Sequence, residues 1–388
     1  MLKLERFFLV GLGVLVVLAV FAIFIGPRLA QPTSTPDQSL ESGETETMPA
    51  RVIGILEEGQ VDLGGGNSQP YQRLLLRVEG GSLTGEEIEV EEGTVNIISQ
   101  KRLFDIGDRV YLERTVGPNG DRFYISDFIR TRSLFVIAAL FIGLVALIGR
   151  GRGIRSLIGT LFSLLVIFFF VLPQIVAGQD PVLVSIIGSV VLLAVSTYLV
   201  YGWNHKAHAA VLGMMLSLIL TGALAWLSVH WARLTGLSEE GGFLITALGS
   251  EIDLQGVILG GIIIGSLGVL DDICVGQASA VIELVNANRA LGWRDLFRSS
   301  LNIGRDHIAA MVNTLLLAYV GASMPLMLAF MVYQEPIWRR INREPVAEEI
   351  VRTLVGSVGL ILAVPITGLI ASLMARWAVR QARAEEQG

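Results

Sequence analysis

"LGVLDDICVGQASAVIELVNANRALGWRDLFRSSLNIGRDH", Leu267 to His307, sets two adjacent carboxylates, Asp271 and Asp272, directly behind one of the most apolar segments of the chain. Ahead of them runs "GVILGGIIIG", Gly256 to Gly265, without a single charge. Ionised carboxylates in or beside lipid are costly, so this pair needs a partner, a proton or a role.

The rest of the chain puts the segment in a membrane. Of 388 residues, 52% are hydrophobic and only 16% charged, and the mean hydropathy is +0.62. Ordinary soluble domains carry about 25% charged residues. Apolar runs near the length a bilayer requires fall at 133–149, 155–173, 181–201, 208–230, 254–275, 307–333 and 351–375. An eighth, "FFLVGLGVLVVLAVFAIFIG" from Phe7 to Gly26, exceeds a signal-peptide core and lacks a clear small-residue cleavage site, which makes it an uncleaved anchor.

Between the anchor and the next span the pattern changes. "QPTSTPDQSLESGETETMP" is too polar to order itself and reads as a linker. From Ala50, short alternating runs broken by Gly and Asn follow: "RVIGILEEGQVDL", "YQRLLLRVEGG", "GEEIEVEEGTV", "IGDRVYLERTV" and "DRFYISDFI". Period-two alternation between turn signals predicts a small antiparallel barrel or sandwich, OB-like in type. Its acidic "EEIEVEEG" and the net charge of −6 argue against nucleic acid as a partner.

The expected fold is therefore an all-α polytopic membrane bundle of about eight transmembrane helices, with a small extracytoplasmic all-β, OB-like domain between helices 1 and 2. Its expected parts are an anchor (1–26), a flexible linker (27–49), the β domain (50–131), a seven-helix membrane domain (132–380) and a tail (381–388). Arg150, Arg152, Lys206, Arg289, Arg294, Arg298, Arg305, Arg376 and Arg380 fall on one side, which by the positive-inside rule makes both termini cytoplasmic and the β domain external. Against this, "QEPIWRRINREP" puts arginines outside, and a missed or re-entrant span near 236–253 would flip the later helices.

Within the bundle, Gly256 with Gly260 and Gly261 with Gly265 form two small-xxx-small pairs, spacing that lets helix backbones approach closely. At about 100° per residue, Asp272, Ser279, Glu283 and Asn286 lie within about 40° of one line, with Asp271 roughly 100° away. On the following helix Asn302, Asp306 and Asn313 align likewise, and Arg305 is the nearest countercharge. Two such stripes can face each other and satisfy one another away from lipid. Three readings of the carboxylates stand side by side: an interfacial salt-bridge cluster, a protonatable site, or a divalent-cation site.

Other chemistry is sparse. The single Cys274 allows no intrachain disulfide, and His205 and His208 lack a third ligand nearby in sequence. No Ser/His/Asp order, P-loop or H-E-x-x-H occurs, so no enzyme, cofactor or resident metal is expected. The expected partners are the lipid bilayer and an unknown small solute or ion, protons included, with an envelope protein as the alternative.

"LGGIIIGSLGVLDDICVGQASAVIEL", then "LFRSSLNIGRDHIAAMVNTLLLAYVGASMPLML", resembles the YibE/F-like family of bacterial multispanning membrane proteins. The recurring elements are Gly265, Leu267, Gly268, Asp271, Asp272, Gln277, Ala278, Ser279 and Glu283, then Ser300, Ile303, Gly304, Arg305, Asp306, Asn313, Thr314, Ala318, Tyr319 and Gly321. A weaker likeness extends from about Ala50 through "ISDFIRTRSL" to the last helix, and Cys274 with Gly276 departs from the pattern. The resemblance implies a prokaryotic plasma-membrane protein, of a kind often labelled a permease, and no substrate. A fainter likeness, to the proton-driven core of resistance-nodulation-division transporters and Sec accessory proteins, implies that Asp271 or Asp272 carries a proton while the β domain moves.

Two function classes follow. One is a transporter or proton-driven machine with Asp271, Asp272, Glu283, Arg305 and Asp306 as its coupling network, lined by Gln277, Ser279, Asn286, Asn302, Asn313 and Thr314. The other is a non-transporting envelope scaffold whose external β domain binds a partner.

Overall fold

Strand alternation writes the first part of the structure directly. In the computed structural model, which describes residues 45–62, 68–93, 103–117, 120–248, 252–332 and 335–387, every second residue from Pro70 to Val78 is buried and those between are less so. The chain forms β1 (Thr45–Asp62), β2 (Ser68–Val78), β3 (Glu87–Glu92), β4 (Arg109–Gly117) and β5 (Gly120–Phe128). They make one antiparallel sheet in the order β3-β2-β1-β4-β5.

Strand β1 is long enough to serve both halves of this sheet: Thr45–Arg51 pairs with β4, and Ala50–Asp62 pairs with β2. Two register shifts, at Val52/Gly54 and Ile55/Glu57, bend it between those duties. The result is an OB-like half-barrel. No ladder joins β3 to β5 among the described residues, but the Ile125 amide donates to Glu92 Oε1 at 3.0 Å across that opening. Met48, Val52, Leu74, Leu76, Phe104 and Leu112 fill the interior. Gln72 is buried among them and exchanges two hydrogen bonds with the Phe104 backbone. At Gly93 (φ +95) a Cβ would stand 2.3 Å from the Pro70 carbonyl, so only glycine closes that turn.

The helices are α1 (Thr131–Val176), α2 (Pro181–Tyr201), α3 (His205–Trp231), α4 (Glu239–Leu248), α5 (Leu254–Ala287), α6 (Trp293–Ala322), α7 (Met324–Val332), α8 (Ile337–Ile341) and α9 (Glu344–Gln387). The described residues divide into two compact units, one ending at Leu144 and the other starting at Val145.

This corrects the expected fold class. Among the described residues, five helices are long and apolar enough to cross a membrane, or six if the bent pair α6 and α7 is one span, and the sheet precedes the first of them. The reasons are local. The runs at 133–149 and 155–173 belong to one helical stretch kinked at Arg150 (φ 49, ψ −140), with a π-helical turn at Ile167–Val171. The run at 307–333 divides into α6 and α7, bent by 57° where Ser323 leaves the helix and Pro325 has no amide to donate. The anchor and most of the linker lie outside the described residues.

Helix directions in the second unit follow from close pairs. Gly256 meets Pro181 and Gly260 meets Ser185, so α5 runs parallel to α2; Gly356 meets Ser266 and Gly368 meets Gln277, so α9 runs parallel to α5. Gly213 against Thr367 and Gly359 against Thr221 make α3 antiparallel to α9, and Gly276 against His307 with Gly265 against Tyr319 do the same for α6 and α5. The segment at 236–253 does not reverse this order: α4 has 10 residues, about 15 Å, too short to cross. One end of the unit gathers the turns after α2 and α5 and the later part of α9, where Arg376 Nη1 donates to the Arg289 carbonyl at 2.9 Å. At the other end Thr235 Oγ1 donates to Glu344 and Gln255 to the Leu234 carbonyl.

Candidate functional site

Helix α5 is the hub, with α2, α3, α6 and α9 packed around it. Its apolar seam is continuous: Ile263, Leu270, Ile273, Cys274, Ala278 and Val281 are all at most 2% exposed. Polar side chains on such a helix have either an interhelical partner or an outward direction.

Asp271 takes the first course. It is half-buried at the seam with α2, and Thr197, itself 1% exposed, donates Oγ1 to Asp271 Oδ1 at 3.4 Å. Among the described residues no arginine or lysine forms an ion pair with it. Helix α2 has 21 residues, about 30 Å, one bilayer core. Thr197 stands about one turn from its C-terminal end, and Asp271 lies level with it.

The same face of α2 carries Ser185 and Ser189, both fully buried, whose hydroxyls have no hydrogen-bond partner among the described residues. Elsewhere Thr221, Ser266, Ser357 and Ser372 donate back to the carbonyl four residues earlier, the usual resolution in a membrane helix. One residue after Thr197, Tyr198 turns to α3, where its hydroxyl meets His208 Nδ1 at 2.8 Å under a stacked Trp203.

The other sequence candidates spread around this point. Asp272 and Glu283 are exposed, as are Asn286, Asn302, Arg305, Asp306, Asn313 and Thr314. Arg305 Nη1 donates to Asn302 Oδ1 at 3.2 Å, so its partner is an amide rather than a carboxylate. Ser279 and Thr314 donate to carbonyls of their own helices. The two polar stripes thus do not interlock; α5 and α6 are joined instead by Gln277. It is 3% exposed and donates Nε2 to the Ser300 carbonyl at 2.9 Å, in space left by Gly304 and Gly368. Of the glycine pairs, Gly256 and Gly260 sit tight against α2, whereas Gly261 has nothing near it and Gly265 faces the Tyr319 hydroxyl.

A second charged centre escaped sequence reading. Near the start of α9, Arg352 Nη1 pairs with Glu349 Oε1 at 2.6 Å, with Glu348 9% exposed beside it. The parallel packing levels Glu349 with Ile258 and Leu259, about one turn inside the end opposite Asp271. The signal was present as Glu-x-x-Arg, one helical turn apart, entering an apolar run. Placing the span at 351–375 made these residues look like a loop. Among the described residues no group of three or more His, Cys, Asp or Glu is placed to hold a metal.

Five or six spanning helices around a buried polar hub define a multi-pass membrane protein of bacterial type, its β-rich region extracytoplasmic. The chain belongs to the YibE/F-like protein family, which it matches over residues 137–377. That match begins within α1, so the "ISDFIRTRSL" junction and the half-barrel fall outside it. Neither the curated proteins nor the solved structures contain a match to the chain.

Proposed function

We propose that this protein is a proton- or cation-coupled membrane transporter in which Asp271 is the coupling carboxylate. One observation carries the reading: a half-buried carboxylate, level with a point about one turn from the end of a span-length helix, whose side-chain partner is a hydroxyl, with no ion-paired cation among the described residues. A carboxylate at such a depth must either carry a proton or hold a mobile cation, and both tie its state to what crosses the membrane. Ser185 and Ser189 supply further oxygens along the same seam. Asp272, Glu283 and Asp306, exposed toward the arginine-rich end, serve as a hydrated mouth. The reading gives the chain no catalytic step.

The test uses protons alone. Proteoliposomes holding the full chain and a lumenal pH dye are subjected to a potassium diffusion potential, and proton entry is followed. The proposal expects entry above that of empty vesicles, reduced at least about tenfold by Asp271→Asn, the equivalent of 1.4 kcal/mol. Asp271→Asn protein that conducts like its parent contradicts it, and the envelope scaffold becomes the better reading.

A further inference from the structure

A carboxylate that couples transport exchanges with both sides of the membrane. Asp272, Glu283 and Asp306 serve the arginine-rich end, which leaves the end where α2 and α5 begin. There Asp180 and Asp253, both exposed, cap the two helices and accept from the Leu183 and Gly256 amides, each at 2.9 Å. The contact of Pro181 with Gly256 brings the two caps side by side.

From these caps the α2 face of the seam offers one residue per turn. Ser185 and Thr197 both face α5: a Cβ at Gly260 would collide with Ser185 Oγ, and Thr197 donates to Asp271. Between them, at four-residue steps of about 6 Å, come Ser189 and Leu193. Ser185 and Ser189 are 0% exposed, and neither hydroxyl has a hydrogen-bond partner among the described residues. A hydroxyl both donates and accepts, so one left free in an apolar seam can pass a proton through itself and a neighbouring water. Leu193, 2% exposed, can do neither, and breaks the row one turn before Thr197.

We infer that the exchanged ion is a proton and that it reaches Asp271 from this end along Ser185 and Ser189, with Leu193 as the single apolar layer in its way. This route rests on the coupling reading of Asp271 and names its ion. Oxygens about 6 Å apart cannot both bond one metal cation, whose contacts are about 2.0–2.6 Å, whereas a proton needs one oxygen at a time. The serines end each passage as neutral as they began, and Asp271 binds the proton from this side and releases the same proton toward Asp272.

The proteoliposome assay with the lumenal pH dye tests the route. Ser185→Ala or Ser189→Ala removes one oxygen and should slow proton entry about fivefold, the worth of one hydrogen bond. Leu193→Ser should speed entry by a similar factor, and only through Asp271: Leu193→Ser with Asp271→Asn should stay at the level of empty vesicles. That dependence separates the gain from a leak through a damaged fold, and the two alanine variants carry the test if Leu193→Ser does not fold. Radiolabelled sodium should enter no faster than into empty vesicles. Proton entry stopped by Asp271→Asn yet indifferent to all three seam substitutions overturns the route and leaves the coupling reading standing. Entry indifferent to Asp271→Asn overturns the coupling reading itself. A Leu193→Ser gain that persists without Asp271 also overturns the route, and sodium entry that Asp271→Asn stops overturns the proton.

Discussion

Asp271 and Glu349 occupy mirrored positions, each about one turn inside opposite ends of the same bundle, and their charges are handled in opposite ways. Glu349 has an arginine at 2.6 Å on its own helix; Asp271 has a threonine hydroxyl at 3.4 Å from a neighbouring one. A carboxylate locked to a guanidinium has its charge settled for good, and its value lies in being fixed. A carboxylate offered only a hydroxyl can be matched by a proton or a passing cation, and its value lies in the exchange. The two centres therefore differ in kind, a carboxylate fixed in an ion pair at one end and one met only by a hydroxyl at the other.

That contrast can be broken by substitution. Arg352→Met leaves Glu349 charged and alone, and should cost about 2–3 kcal/mol, below the range for a fully buried pair because both side chains remain partly exposed. Thermal unfolding of the purified protein checks it, and Glu349→Gln added to Arg352→Met should recover most of the loss. Thr197→Val removes the hydroxyl from Asp271 and should cost about 1 kcal/mol by the same measurement. Asp271→Asn, which keeps an oxygen for Thr197, should shift stability by under about 0.5 kcal/mol while stopping proton entry. If Asp271→Asn proved as damaging to stability as Arg352→Met, the two centres would be alike and both structural.

The half-barrel provides the aqueous limit of the same comparison. Arg51 and Arg109 both hydrogen-bond Glu79, at 2.7 and 2.8 Å, and hold its carboxyl below the usual 4.5, the Arg51 bond contributing most. A lowered folded value means the stabilisation is fully present above pH 4.5 and is lost as pH falls from there through the lowered value. With Glu79 25% exposed, the effect should be under about 1 kcal/mol. Amide exchange of β1 and β4 in the full chain, corrected for intrinsic rates, should rise on acidification and rise less in Glu79→Gln protein.

The legible and illegible parts of this molecule divide on physical grounds. All five alternating runs became strands, because a half-buried sheet stamps its period onto each strand by itself. "TETMP" did not read as strand, since Pro49 and its polar neighbours are placed by pairing with β4, a non-local partner. The small-residue pattern of Gly256 and Gly260 foretold a close approach, but the same spacing at Gly261 and Gly265 met no comparable one, since spacing does not say whether a helix stands opposite. Counting spans failed where hydropathy could not see backbone geometry, at the Arg150 kink and the Ser323 bend. The carboxylate pair was conspicuous in sequence; its partner Thr197 is separated from it by 74 residues and was invisible until α2 and α5 were seen side by side.

The most direct measurement is carbodiimide labelling of membranes across about pH 5 to 9, mapped by mass spectrometry, since this reagent reacts with protonated carboxyls in apolar surroundings. An adduct is expected at Asp271 that disappears as pH rises, and none at Glu349, which is ion-paired with Arg352. Labelling of Glu349 with Asp271 untouched throughout would contradict it, reversing which of the two carboxylates is free to exchange a proton.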